Sequence, residues 1–174
     1  TGYTGEDGFE MVVQSSDAEA VWNTLIEQGV TPCGLGARDV LRLEAALPLH
    51  GHEIDHETSP IEAGLARFVR GEGDYIGAPV LHQQREEGTP RKLVGLSMPG
   101  RSAPRADYPI LFQGETIGRI TSGSYSPTLD TSIAMGYVLV RHAAVGHVVD
   151  VDIRGRTAPA KIVSLPFYSR TRSN

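Results

Sequence analysis

The run TIGRITSGSYSPTLDTSIAMGYVLV, Thr116 to Val140, decides how the chain folds. It contains two β-type segments, Thr116–Thr121 and Ile133–Val140, with Ser, Gly, Pro, Thr and Asp between them. Those residues favour turns, whereas Ile, Val, Tyr and Thr suit a pleated, half-buried strand. The same texture continues on both sides, in Lys92–Leu96 and Tyr108–Phe112 before it and Val148–Ile153 and Ala160–Leu165 after it. Six short strands with dense Gly and Pro punctuation, and no helical pattern among them, point to a small antiparallel β-barrel or a sandwich; the barrel is the expectation taken forward. Ser122 and Ser124 read as turn chemistry. No G-x-S-x-G occurs to make either a nucleophile.

Upstream of Gly88–Arg91 the pattern differs. Thr1–Gly8 is rich in Gly and acids and reads as a turn delivering a strand, Phe9–Val13. A helix follows, with Ser16 as cap and Glu19 at capping-box spacing. Val21, Trp22, Leu25 and Ile26 recur along it at helical spacing, and Gly29 ends it. After the break at Thr31-Pro32-Cys33-Gly34, a second helix is expected over Leu35–Leu47, with Leu35, Val40, Leu43 and Leu47 as core candidates. Pro48–Pro60 is a polar, His-rich connection. Ile61–Val69 and Tyr75–Glu87 form a mixed segment, with a helix over Ala78–Glu86 after Gly77. The fold class is therefore α+β: the end of a mixed α/β domain (1–50), a linker with helices (51–90) and a β-barrel domain (91–174).

The composition narrows function by exclusion. The chain has 174 residues, a net charge of −5 and a pI near 5.6. It has no basic stripe to neutralise phosphates, which argues against nucleic acid or an anionic membrane as partner. Its longest Arg-rich stretch, Ser169–Asn174, reads as a short exposed tail. No apolar run nears the roughly 20 residues that span a bilayer. A lone Cys33 forms no internal disulfide and fits a reducing compartment. The chain starts at Thr1, without Met and inside a turn pattern, so a missing upstream part is expected.

Four motifs carry possible chemistry. His52-Glu53-Ile54-Asp55-His56 spells H-E-x-x-H, the zinc-protease pattern, which needs both histidines on a stable helix and a third ligand. Pro48 and Gly51 precede it and Pro60 follows, leaving little room for that helix, so it reads as a solvated connection with no metal. Gly34-Leu35-Gly36-Ala37-Arg38-Asp39 begins like a dinucleotide fingerprint, but Asp39 replaces the third glycine and would repel a pyrophosphate. Glu10 lies inside the otherwise apolar FEMVV. On an alternating strand it faces water; if buried, it needs a two-donor fork. That fork comes either from an arginine such as Arg38 or Arg42 or from a heterocycle with adjacent N–H groups, such as a pterin or guanine edge. Arg38 and Arg42 lie one turn apart on one helix face. They pair with Asp39, Glu44 or another acid, or one of them is aimed at an anionic or carbonyl group.

Taken together, GYTGEDGFE (Gly2–Glu10), GLGARDVLRLEAALPLHGHEID (Gly34–Asp55), SPIEAGL (Ser59–Leu65), YIGAPVL (Tyr75–Leu81), KLVGL (Lys92–Leu96), IGRITSGSYSPTL (Ile117–Leu129), IAMGYV (Ile133–Val138) and LPF (Leu165–Phe167) resemble the glycine cleavage system T-protein, or aminomethyltransferase, family. The GEDGFE form is closer to that family than to the folate domains of dimethylglycine and sarcosine oxidases. The K-G-C-Y-x-G-Q-E motif of non-catalytic folate-binding scaffolds is replaced here by GYTGEDG. Those two groups supply the alternative readings.

The resemblance implies a three-domain cloverleaf, of which this chain matches the end of the folate-binding domain, a linker and the C-terminal barrel. It implies transfer of an aminomethyl group from the lipoyl arm of H-protein to tetrahydrofolate, in partnership with the other glycine cleavage components. Tetrahydrofolate is the cosubstrate. Location is cytoplasmic, in the bacterial manner, with mitochondria left open. The family's catalytic aspartate lies upstream, so no catalytic residue is expected here and the chain alone is expected to be inactive. By motif position, Glu10 grips the pterin, Arg38 contacts folate and Tyr3 forms a wall of the pocket. A barrel-domain arginine of the family falls near Ala144, where this chain has Ala143-Ala144 and, earlier, Arg141. Arg67 replaces a common Trp, and His50 a common Tyr at the pocket's edge.

Overall fold

A computed structural model describes residues 2–71 and 73–170. Thr1 and, within the expected Arg-rich tail, 171–174 lie outside the described residues. Three helices, α1 (Ala18–Glu27), α2 (Leu35–Glu44) and α3 (Ala78–Glu87), precede six strands. These are β1 (Arg91–Met98), β2 (Pro109–Phe112), β3 (Glu115–Ser126), β4 (Thr131–Leu139), β5 (Val148–Ile153) and β6 (Arg156–Val163).

The strands close into an antiparallel barrel in the order β1-β4-β3-β2-β5-β6, and β6 returns to β1 through Gly95–Val163 and Leu96–Ile162. Closure leaves no ladder edge unpaired. Period-two alternation sorts the side chains. Val94, Leu96 and Met98 of β1, Ala134 and Val138 of β4, and Ile110, Ile120, Val149, Val151 and Ile162 fill the interior. The opposite faces of β1 and β4 are also covered, because Leu93, Ile133, Met135 and Tyr137 pack against Leu43 of α2. Burial on both faces explains the unbroken buried run Ser132–Val138.

β3 is longer than expected. TSGSYS belongs to the strand rather than to a turn, which starts only after Ser126. Two features let a run of small polar residues stay in the ladder. Gly118, Gly123 and Gly136 stand where added Cβ atoms would meet backbone oxygens at 2.0, 2.4 and 2.6 Å, so close strand approach requires glycine. The register also shifts between Ile120 and Ser122, a bulge that leaves Thr121 opposite no residue of β4.

The upstream elements depart from expectation in three places. The strand expected over Phe9–Val13 does not form, and Phe9 and Val12 are 95% and 100% exposed. A strand exists only through its ladder, and no described segment runs beside this one. α2 stops at Glu44 rather than Leu47, because Ala46 takes φ 53° and the amides of Ala46 and Leu47 bond back to the carbonyls of Leu43 and Arg42, a Schellman closure. Leu35, expected in the core, is 84% exposed. It opens the helix in the first turns, all exposed, which the barrel does not cover, whereas Leu43 in the covered half is only 1% exposed. α1 forms where the periodicity puts it, closed by Gly29 at φ 85°. Its cap is Asp17, and the Ser16 hydroxyl bonds to Asp17 rather than to the helix. α3 begins after Gly77, as expected.

Candidate functional site

The site is built on the C-terminal half of α2. That half is buried against the barrel and carries two charged residues inward, Arg42 at 2% and Glu44 at 1% exposure. Arg42 spends its donors in four directions. Nε bonds to Asp39 at 2.8 Å, Nη1 to Glu53 Oε2 at 3.0 Å and to the Leu47 carbonyl at 3.4 Å, and Nη2 to the Ser122 hydroxyl at 2.9 Å. Glu53 is fully buried and accepts a second bond from the Leu49 amide at 2.9 Å. The Glu53 carbonyl takes the Tyr137 hydroxyl at 2.7 Å. Glu44 accepts from the hydroxyls of Ser126 and Thr128. A buried charge is tolerable only when paired and hydrogen-bonded, and the polar face of β3 supplies those hydroxyls. The seam between α2 and the barrel is therefore charged and hydrogen-bonded, apart from Glu53 Oε1, which has no hydrogen-bond partner among the described residues.

A third buried acid extends the seam. Glu62 exchanges bonds with Ser59 in capping-box fashion, pairs with Arg91 at 3.0 Å and offers its carbonyl to Leu93. The Glu62 bond raises the Arg91 pKa above its ordinary value.

The Leu47 carbonyl joins this seam to the chain's first turn. Tyr3, held at φ 60°, donates its hydroxyl to the carbonyls of Leu47 and Pro48. Arg38, one turn before Arg42, lies outside the seam. Its guanidinium sits over the Tyr3 ring at 5.4 Å and donates to the Gly2 carbonyl at 3.0 Å, a cation–π contact worth about 0.5–1 kcal/mol at an exposed position. Burial raises the Tyr3 pKa, and Arg42 opposes that rise. In front of Tyr3 is a cavity of about 650 Å³ bordered by Glu6, Asp7, Glu10, Leu47 and Arg170.

Tyr3 and Glu10, both nominated from the sequence, thus border one cavity, with Arg38 stacked on its Tyr3 wall. Glu10 is exposed, which decides the sequence ambiguity in favour of a water-facing carboxylate, though from irregular backbone rather than a strand. Arg42 takes the ion-pair reading by pairing with acids, while Arg38 meets the Gly2 carbonyl and the Tyr3 ring of this chain. Arg141 stands in a short 3-10 turn after β4, bonded to His142, and does not border this cavity. Arg67 lies over Phe68. His50 is exposed and turns its ring edge to His56 at 6.0 Å.

Arg170 was not singled out from the sequence. It pairs with Asp7 at 2.6 Å and Glu6 at 3.8 Å across the cavity. Only the fold brings it there, 163 positions along the chain from Asp7. The buried roles of Glu53, Glu44 and Glu62 were equally unsignalled, since nothing local marks a Glu for burial.

The HEIDH motif takes a different part from the one its letters suggest. Residues 51–53 form a turn closed by the Gly51 amide on the Ile54 carbonyl. His52 donates Nδ1–H to the Thr121 carbonyl at 2.9 Å, at the barrel's bulge, and Glu53 faces Arg42. The two histidines therefore share no helix face. Among the described residues, no group of three or more His, Cys, Asp or Glu is placed to hold a metal ion.

A helical segment latched by buried charges to a closed six-stranded barrel, with a cavity at the latch, defines a two-part module. Residues 91–169 match the family described as "Glycine cleavage T-protein C-terminal barrel domain", and residues 1–72 match "GCVT N-terminal domain". The chain is 52% identical over 174 residues to an aminomethyltransferase of Symbiobacterium thermophilum, covering 97% of this chain and 46% of that protein. It is 51% identical over 177 residues to one of Moorella thermoacetica, covering 99% and 48%. The crystal structure of glycine cleavage system aminomethyltransferase T from Bartonella henselae superposes with a TM-score of 0.90 at 37% identity, over 95% of this chain and 48% of that one. The chain belongs to the glycine cleavage T-protein family, and it spans about half the length of the curated relatives it matches. Among the described residues, no helix is long and apolar enough to cross a membrane.

Proposed function

We propose that the chain supplies the tetrahydrofolate-gripping half of an aminomethyltransferase of the glycine cleavage system. Aminomethylated lipoyl-H-protein and tetrahydrofolate give 5,10-methylenetetrahydrofolate, ammonia and dihydrolipoyl-H-protein. The carbon–sulfur bond to the lipoyl arm and the carbon–nitrogen bond to ammonia break, and two carbon–nitrogen bonds to the folate form. Residues 1–50 belong to the folate-binding domain, 51–90 to a linker and 91–174 to the barrel domain. The partners are H-protein and the other glycine cleavage components, and the setting is the cytoplasm.

The supporting observation is the single cavity bordered by Tyr3 and Glu10, with Arg38 fixed on the Tyr3 ring. An exposed carboxylate accepts two parallel bonds from a pterin ring N–H and exocyclic amine without first being desolvated in the free protein. Tyr3 offers a flat apolar wall for stacking, held by its own hydroxyl. Arg38 has donors left after its bond to Gly2 and stands ready for the folate's carbonyl or carboxylate groups. Arg170 also borders the cavity, paired with Asp7 and Glu6.

The test is tetrahydrofolate binding by titration calorimetry on the chain and on Glu10→Gln. Replacing one acceptor oxygen by a donor leaves donor facing donor, so affinity should fall by roughly 10- to 100-fold, the equivalent of about 1.5–3 kcal/mol for a hydrogen bond to a charged group. Equal affinity in the two proteins removes Glu10 from this role.

A further inference from the structure

A second cleft lies on the barrel, remote in sequence from the Tyr3 cavity. It encloses about 450 Å³ and is bordered by Arg101 and Arg105 from the β1–β2 loop, Arg154 from the β5–β6 turn, and Tyr108, Ser124 and Tyr125. In a protein of net charge −5, this wall holds three arginines and no carboxylate. The acids flanking these residues all have partners, one of them on the cleft's own Tyr125. Asp107 pairs with Arg119, Asp130 accepts the Tyr125 hydroxyl, and Asp152 accepts the Gly155 amide.

Two of the arginines are fixed in place while keeping most of their donors unspent. The Arg101 guanidinium lies over the Tyr125 ring at 4.9 Å and also bonds with the Tyr125 hydroxyl, which fixes it while leaving further N–H groups for a ligand. Arg154 gives Nε to the Tyr108 oxygen at 3.1 Å. Among the described residues no other Arg154 donor makes a hydrogen bond, and the Tyr108 hydroxyl keeps its own proton to donate. Arg105 forms no ion pair among the described residues. Arg154 also occupies an unusual position. It is the first residue of the two-residue turn Arg154-Gly155, at φ 57° and 81°. Such a turn prefers Asn-Gly, because a longer side chain is strained in the left-handed region. The chain thus holds an arginine where asparagine is the easier residue, and aims it at a cleft lined by two others.

We propose that this cleft is an anion-binding site for a ligand carrying phosphate or clustered carboxylate groups, held by Arg101, Arg105 and Arg154 with the Tyr108 hydroxyl as a further donor. Guanidinium forks take such groups two bonds at a time. The site is independent of the folate reading, since it shares no residue with the Tyr3 cavity.

The experiment is amide NMR titration of the chain with inorganic phosphate and, separately, with tri-glutamate, at constant ionic strength in chloride. Saturable shifts confined to Ser124, Tyr125, Gly155 and their neighbours are expected. Arg154→Asn relieves the turn, so it should unfold no earlier than the parent chain, yet bind about 10-fold more weakly through loss of a charge-assisted pair. Arg105→Gln should weaken binding to a similar extent. Response to phosphate alone assigns the site to phosphate-bearing ligands, to tri-glutamate alone to polycarboxylates, and to both to oxyanions generally. No saturable response to either probe, shifts scattered over the surface, or affinity unchanged in both variants would overturn the proposal.

Discussion

At the residue scale, Glu53 and Arg42 show how a motif's letters mislead. Glu53 is the glutamate of HEIDH, yet its work is to hold a guanidinium that has no water around it. Arg42→Met alone leaves that carboxylate buried and unpaired, and should cost about 3–5 kcal/mol, read from urea unfolding midpoints. Replacing both, Arg42→Met with Glu53→Met, should bring stability back to within about 1 kcal/mol of the parent, because no lone charge remains. A double variant as unstable as the single one contradicts this account. Pairing of Arg42 with Asp39 was among the sequence readings, but its burial and the role of Glu53 were not. The helix spacing put Arg38 and Arg42 on one face, but which of them meets water depends on the barrel that covers α2, information held some 80 residues away at Ser122.

Tyr137 carries a titration consequence. Burial raises its pKa well above the ordinary 10.0, with Arg91 opposing. Above pH 10 the unfolded chain loses this proton while the folded chain keeps it, so stability declines as pH rises. The contribution is complete below pH 10 and shrinks above it. Melting temperatures between pH 8 and 11 should fall more steeply for the parent than for Tyr137→Phe, and parallel curves would show that Tyr137 does not govern the decline.

At the scale of elements, the barrel strands were legible because alternation and turn residues are local signals. Val148–Ile153 has the same bounds in sequence and structure. The FEMVV segment has equally good strand chemistry but no neighbour, and a ladder needs two members. The extension of β3 through Ser126 was hidden for the opposite reason. Its hydroxyls look like turn formers until Arg42 and Glu44 arrive to bond them. Glycines divide in the same way. Gly118→Ala drives a methyl into the Tyr137 carbonyl and should cost about 1–3 kcal/mol. Gly36→Ala, on α2 with nothing within 4 Å, should gain roughly 0.5–1 kcal/mol. Urea unfolding of the two variants, side by side, distinguishes packing from propensity; a loss at Gly36 or none at Gly118 would contradict the assigned backbone approaches.

For the whole molecule, the resemblance located the Tyr3–Glu10–Arg38 region from motif order alone, while Arg170 reached it only through the closed fold. The proposed chemistry makes a demand at this scale. If the chain supplies only the folate-gripping half, as its span of about half the relatives' length suggests, then with aminomethylated H-protein and tetrahydrofolate the chain alone should release no ammonia above background. Sustained turnover would contradict that.

The latch between α2 and the barrel also gives the protein two responses to temperature. The barrel interior is held by aliphatic burial, whose driving force fades on cooling. The seam of Arg42, Glu53, Glu44 and Ser126 is held by groups whose dehydration becomes less costly as water warms. Cooling therefore weakens the interior before it weakens the joint, and the contact that shapes the Tyr3 cavity is the one best suited to a warm environment.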